Sequence, residues 1–156
     1  MIESMIAPCG LNCGVCYAHL TRKKKCPGCR AGDENKSASC VDCKIKTCEK
    51  LAASGGEFCF RCDEYPCARM KHLDKRYRVR YGVSPIGNME RIAAVGIAEF
   101  TAGEAVKWRC AGCGGTVCVH TGECAGCGAG TNTTNTTNTT NSNTTSWDEG
   151  PRLLRA

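Results

Sequence analysis

The clearest hydrophobic rhythm lies in the second half of the chain. Met70, Leu73 and Tyr77 recur at i, i+3 and i+7 and place an apolar face along one side of a helix. Pro66 suits a first helical turn, Asp63 and Glu64 precede it, and Gly82 is a natural stop. A second helix opens at Ser84-Pro85, an N-cap residue followed by proline at the first helical position. Met89, Ile92 and Val95 line its face and Gly96 ends it; Ile97 and Phe100 belong to a short third segment. Before residue 68 the rhythm nearly vanishes. Short helices are expected there, one from near Cys13 to about Leu20 and one from Cys48 through Leu51 to the stop at Gly55-Gly56. Thr116–His120 reads as a short strand. Residues 131–146 alternate Asn and Thr with no large apolar side chain, so no packed core is expected and 131–156 reads as a disordered tail.

Composition changes that picture. Leu, Ile, Val and Phe make up only 23 of 156 residues, too few to offset the chain entropy of an ordinary greasy core. A large single-core fold such as a barrel or doubly wound sheet is not expected on those grounds. Cysteine supplies 16 residues, about one in ten, and becomes the candidate for what holds the fold together. Met1–Pro8 carries Glu3 and has no basic start followed by an apolar run, and no stretch approaches a membrane span. The expectation is a cytoplasmic chain without membrane contact, where dense cysteine reads as metal binding rather than disulfides.

The formal charge of +6 counts cysteine as neutral. Were all sixteen thiolates sharing four zinc ions, the balance would move to about −2. The Lys/Arg excess therefore speaks less strongly for nucleic acid than its size suggests.

The cysteines fall into two regions. Cys110-Ala-Gly-Cys113-Gly and Cys124-Ala-Gly-Cys127-Gly are two C-x2-C-G turns. The two-residue gap lets both sulfurs of a turn reach one ion, and the following glycine permits the positive φ that turns backbone N–H groups toward sulfur. Together they predict a four-thiolate zinc ribbon, with a rubredoxin-like iron site as the rival. Cys118 is read as a small buried hydrophobe and His120 as a surface or hydrogen-bonding residue.

The N-terminal region is harder to partition. Cys9, Cys13 and Cys16 open it, Cys26 and Cys29 follow as a knuckle-like turn, and Cys40, Cys43 and Cys48 are echoed by Cys59, Cys62 and Cys67 at the same spacing. Both copies of the echo lead into a helix, which suggests an internal duplication. Eleven cysteines do not divide by four, and His19 or His72 is a candidate twelfth ligand. Cys13, Cys16, Cys26 and Cys29 form one natural set; Cys43 or Cys48 with Cys59, Cys62 and Cys67 forms another.

The run Ala7-Pro-Cys-Gly-Leu-Asn-Cys-Gly-Val-Cys16, the segment Lys23-Lys-Lys-Cys-Pro-Gly-Cys29 and the segment Cys59-Phe-Arg-Cys-Asp-Glu-Tyr-Pro-Cys67 stand out. So does Lys71-His-Leu-Asp-Lys-Arg-Tyr77 leading to Tyr81-Gly82 and Ser84-Pro-Ile86. Together they resemble the Cys-rich prokaryotic family called domain of unknown function 3795, over about residues 5–128. The resemblance implies a small metal-binding protein and supplies no catalytic residue.

The fold expected is thus a small α+β, metal-organised protein. Residues 1–82 form a multi-cysteine domain of zinc knuckles and short helices ending in a basic helix, 83–106 a helical connector, 107–130 a zinc ribbon and 131–156 the tail. Three functions compete. The first is a zinc-stapled binding module, working through the basic helix at 69–80 on nucleic acid or an acidic protein. The second is an iron–sulfur protein with a redox or enzymatic role. Cys9-x3-Cys13-x2-Cys16 has the spacing of radical S-adenosylmethionine enzymes, but the chain has no room for their barrel. The third, a thiol enzyme or metal store, ranks last. No H-x-x-x-H, H-x-E, G-x-S-x-G or phosphate-loop pattern is present, so the sequence leans away from an enzyme without deciding the question.

Overall fold

The computed structural model describes residues 1–130; the expected tail at 131–156, with its Asn132-Thr133-Thr134 repeats, lies outside the described residues. The first half is built of single turns. A 3-10 turn at Glu3–Met5 is followed by another at Cys13–Val15, which Asn12 caps by accepting from the Gly14 N–H at 2.9 Å. The helix expected from Cys13 is broken at Cys16, whose ψ of 140° is extended, and resumes only as α1 (Tyr17–Leu20). Next come α2 (Ala38–Val41), α3 (Glu49–Ala53) and a 3-10 turn at Cys59–Arg61.

The second half carries the two longest helices among the described residues. α4 (Ala68–Tyr81) stops at Gly82, which takes the left-handed conformation at φ 63°, as the sequence predicts. Its start differs from expectation. Cys67 is the N-cap, so Pro66 stands just outside the helix and neither Asp63 nor Glu64 enters the first turn. α5 (Pro85–Lys107) begins with Ser84 accepting from the Gly87 N–H at 2.9 Å and Pro85 in the first turn. Gly96 leaves helical geometry at φ 82°, ψ 165°, so the predicted stop is a kink, after which Ile97 and Phe100 continue in helix.

The α+β expectation needs correction. Among the described residues there is almost no strand; pairing is limited to the isolated bridges Ile6–Asn12, Arg109–Thr116, Val117–Cys124 and Glu123–Gly130. The reason is local. Positive-φ glycines at 114, 122 and 128 turn the chain every few residues, and no segment between them runs long enough to build a ladder.

α4 and α5 pack on each other and on the N-terminal turns. Met70 and Leu73 of α4, Met89, Ile92 and Phe100 of α5, and Ile6, Ala7, Cys9, Leu51, Phe58 and Cys59 form one buried cluster. The platform the helices need is therefore the cysteine-bearing segment, stiffened by Ile6 and Phe58. Gly10 shows how close the approach is. A Cβ there would sit 2.9 Å from the Pro85 carbonyl oxygen and 2.7 Å from Met89 Cε, and the residue has φ 82°. The C-terminal turns dock on the same body. The Val119 N–H donates to the Val15 carbonyl at 2.9 Å, and Val15, Val83 and Val119 bury a second small cluster.

Asp74 latches the two long helices together. It is buried, accepts from Ser84 Oγ at 2.6 Å and from the Ile86 N–H at 3.2 Å, and pairs with Arg78 Nε at 2.6 Å. Burial alone would push its carboxyl up, but the Ser84 hydroxyl, Arg78 and the Ile86 N–H outweigh it and hold it below the usual carboxylate range. That contribution is complete above the unfolded carboxylate pKa and fades as pH falls through the folded one. Asp74→Ala strands these donors and is expected to cost about 2–3 kcal/mol in urea unfolding of the metal-loaded chain near neutral pH. A loss below about 0.5 kcal/mol would remove Asp74 from this role.

Candidate metal centre

Two tight turns bring four sulfurs to one point. The first is closed by the Gly114 N–H to the Cys110 carbonyl (2.8 Å) and the Cys110 N–H to the Gly115 carbonyl (2.7 Å). The second repeats it, Gly128 to Cys124 at 2.9 Å and Cys124 to Ala129 at 2.8 Å. Gly114 and Gly128 have φ of 73° and 74°, the conformation for which the glycine after each C-x2-C was singled out. Backbone N–H groups do point at sulfur, from Gly115 to Cys113 and from Gly126 to Cys124, both at 3.4 Å. Gly115 is needed for a second reason: a Cβ there would lie 3.1 Å from Cys124 Sγ and 3.2 Å from Cys113 Sγ.

The sulfurs of Cys110, Cys113, Cys124 and Cys127 all lie within 4.8 Å of one another. Cys110 and Cys127 are 3.7 Å apart and Cys113 and Cys124 are 3.5 Å apart. A tetrahedron with metal–sulfur bonds of about 2.3 Å has edges of about 3.8 Å, so the set is spaced for one ion. A disulfide would need about 2.05 Å, and all sixteen cysteines are unpaired thiols.

Crowding splits the proton affinities within the set. N–H groups of Cys127 and Gly126 pull the Cys124 thiol down to about 6. Cys113 feels the Gly115 N–H, but the thiols of Cys127 and Cys124 outweigh it and push it up to about 12. Four sulfurs this close resist ionising together without a cation among them. The array offers one sulfur to each corner of a tetrahedron.

No three of the eleven N-terminal cysteines bring their sulfurs within 4.8 Å of one another, and they divide between two cavities. Cys9, Cys13, Cys16, Cys26, Cys29, Cys40 and Cys43 line a cleft of about 1250 Å³, and Cys48, Cys59, Cys62 and Cys67 line a cavity of about 30 Å³. Within the cleft, Cys13 pairs with Cys29. The Cys29 N–H reaches Cys13 Sγ at 3.4 Å, and the Cys13 thiol helps lower Cys29 to about 7 while Cys13 itself rises. Burial pushes Cys9 up to about 12, with the Cys29, Cys59 and Cys43 thiols adding to it. Cys16 is raised by burial as well, and the thiols acting on it are Cys26 and Cys40. The structure thus sets Cys13 and Cys29 side by side and gives Cys16 the company of Cys26 and Cys40.

In the smaller cavity, burial and then the thiols of Cys67, Cys48, Cys62 and, from the cleft, Cys43 push Cys59 up to about 11. Cys48 is lowered by N–H groups of Leu51 and Lys50 and by Arg69.

Lys36 was invisible to motif reading. Its side chain is only 1% exposed, and Nζ donates to the Ala31 carbonyl at 2.7 Å, the Cys29 carbonyl at 3.4 Å and Asp33 at 3.1 Å. After Cys13, it is the first cation that lowers Cys29. Cys118 is 1% exposed and outside the four-sulfur set, in keeping with its reading as a small hydrophobe. His120 Nδ1 accepts from the Tyr17 N–H at 3.3 Å, and its ring lies edge-on to Tyr81 with centroids 4.8 Å apart. His19 Nδ1 sits 2.8 Å from the Cys26 carbonyl oxygen. Arg69, Lys71, Lys75, Arg76, Arg78 and Arg80 of α4 are all exposed. No helix among the described residues is long and apolar enough to cross a membrane.

Residues 5–72 match the model of a family described as a protein of unknown function, DUF3795. No curated protein and no solved structure matched the chain.

Proposed function

Starting from a chain whose residues 5–72 are a Cys-rich DUF3795 segment, we propose a zinc protein in which the metal is structural and the folded body serves as a binding module. The observation that carries this is the convergence of Cys110, Cys113, Cys124 and Cys127 within 4.8 Å. Four thiolates in closed tetrahedral array are the donor set of structural zinc. In this reading 107–130 is a zinc ribbon, and Cys9, Cys13, Cys16, Cys26, Cys29, Cys40, Cys43, Cys48, Cys59, Cys62 and Cys67 hold further ions in a reducing, cytoplasmic setting. The exposed cations of α4 form the contact surface, toward nucleic acid or an acidic protein. A nucleic-acid partner makes affinity fall steeply with salt; binding that is flat across salt, or absent, removes that partner.

A second reading has one observation in its favour. Seven cysteines line a single cleft of about 1250 Å³, which is roomy enough for an iron–sulfur cluster. Anaerobic purification with elemental analysis separates the two. Colourless protein with stoichiometric zinc supports the zinc module; brown protein carrying iron and acid-labile sulfide supports the cluster and overturns zinc in the N-terminal region.

A further inference from the structure

Thiols make up only part of the wall of the large cleft. Its volume of about 1250 Å³ exceeds the roughly 300–1,000 Å³ of ordinary small-molecule pockets. Between the thiols the lining is apolar, from Leu11, Val15, Ile45, Leu73, Val83 and Val119. Four exposed cations line the same space from three segments: Arg22 after α1, Lys44 between α2 and α3, and Arg69 and Arg76 on α4. α4 does not turn its whole basic surface this way. Arg69, His72 and Arg76 recur at i, i+3 and i+7 and make one stripe along the cleft, whereas Lys71, Lys75, Arg78 and Arg80 do not line it.

The ion pairs of the protein pass these four cations by. Among the described residues, carboxylates pair with Lys36, Lys46, Lys50, Arg61, Arg78 and Lys107, and none pairs with Arg22, Lys44, Arg69 or Arg76. Two carboxylates line the cleft. Glu104 is buried and already accepts from Asn12 and Trp108, which leaves Asp42 as the exposed one. Arg69 is held in place, donating from Nη1 to the Lys44 carbonyl at 3.1 Å. An apolar wall with converging, unpaired cations is complementary to an anion that carries an apolar body. The body covers the wall, and the head meets guanidinium groups whose forked N–H donors fit a carboxylate or a phosphate.

We propose that this cleft is a binding site for a small organic anion, a phosphate monoester or carboxylate on an apolar body, with Arg22, Lys44, Arg69 and Arg76 holding the head. The site goes beyond the metal-stapled module described above. It shares no residue with the four-sulfur set of Cys110, Cys113, Cys124 and Cys127.

Calorimetric titration of the full, metal-loaded chain with naphthyl phosphate, naphthoate and the neutral naphthalenemethanol tests this. At least one of the two anions should bind about tenfold or more tighter than the alcohol and weaken as salt rises, and the tighter anion identifies the head. Arg76→Ala and Lys44→Ala, from two different segments, should each weaken that anion by about tenfold with helicity unchanged by circular dichroism. Lys75→Ala, on the same helix but outside the cleft, should bind as the wild type does. Equal affinity for the neutral alcohol, or equal losses in Lys75→Ala and Arg76→Ala, overturns the site. So does absence of binding to the loaded chain, which would assign the four cations to the thiolates of the same cleft. Metal content is read on the same samples. Stoichiometric zinc without anion binding leaves the zinc module standing and defeats this proposal alone.

Discussion

Replacing Cys110 by serine is expected to remove one metal ion per chain and to unfold residues 107–130 before the rest. Cys110 is one of four sulfurs within 4.8 Å of each other and sits 3.7 Å from Cys127. The segment has little else to order it: its buried apolar side chains are Val117, Cys118 and Val119, and its backbone pairing is limited to isolated bridges. A structural zinc contributes an apparent binding energy of about 10–16 kcal/mol, most of which is folding free energy. That exceeds what such a small apolar cluster supplies, at about 1.5–3 kcal/mol per buried side chain. Loss of the ion should also release the Val119 N–H from the Val15 carbonyl and His120 from Tyr17, visible as lost hydrogen-exchange protection at those amides. α4 and α5, which share a separate core around Met70, Met89 and Phe100, should keep most of their helicity. Cys118→Ala is the control and should retain the ion. Wild-type metal content in Cys110→Ser would defeat the four-sulfur site.

Acid should strip the same site, and the direction follows from how its thiols are set. Cys124 is drawn down to about 6 by N–H groups of Cys127 and Gly126. Its folded value lies below the ordinary thiol value, so what it contributes is fully present above that ordinary value and is lost as pH falls through about 6. Cys113, pushed up to about 12, gives up its proton only when the cation replaces the repulsion of its neighbours. Each thiol that must lose a proton to bind costs up to about tenfold in affinity per pH unit below its pKa. Metal occupancy should therefore drop with a steepening slope once pH passes below about 6, where Cys124 joins the competition. Zinc release into a chelating dye, followed across pH, measures it. Retention unchanged down to about pH 4 would show that these thiols are not the ligands.

Met70, Leu73 and Tyr77 identified the inner face of α4, and Gly82 its end, because helix period and positive-φ glycine are local properties. Ser84, Pro85 and Gly96 were readable for the same reason. Pro66 misled by two residues, since the N-cap is Cys67 and the helix opens at Ala68. The Thr116–His120 strand shrank to bridges because adjacent glycine turns left no length for a ladder. Asp74, Glu104 and Lys36 carried no signal in the sequence. Asp74 and Glu104 owe their roles to partners brought from distant segments, as when Glu104 accepts from Asn12 Nδ2 at 3.0 Å and Trp108 Nε1 at 2.8 Å.

The order of residues alone predicted that Cys110, Cys113, Cys124 and Cys127 would meet; the apolar core that Ile6, Phe58, Met70, Met89 and Phe100 build was larger than composition led one to expect. Both C-x2-C-G turns close within a few residues, so their geometry is settled locally. Which of the eleven earlier cysteines face one another was decided only by tertiary structure. Equal spacing in the two echoes says nothing about how α2, α3 and α4 are stacked, and it is that stacking which leaves Cys48 lining the smaller cavity with Cys59, Cys62 and Cys67, and Cys40 and Cys43 lining the cleft.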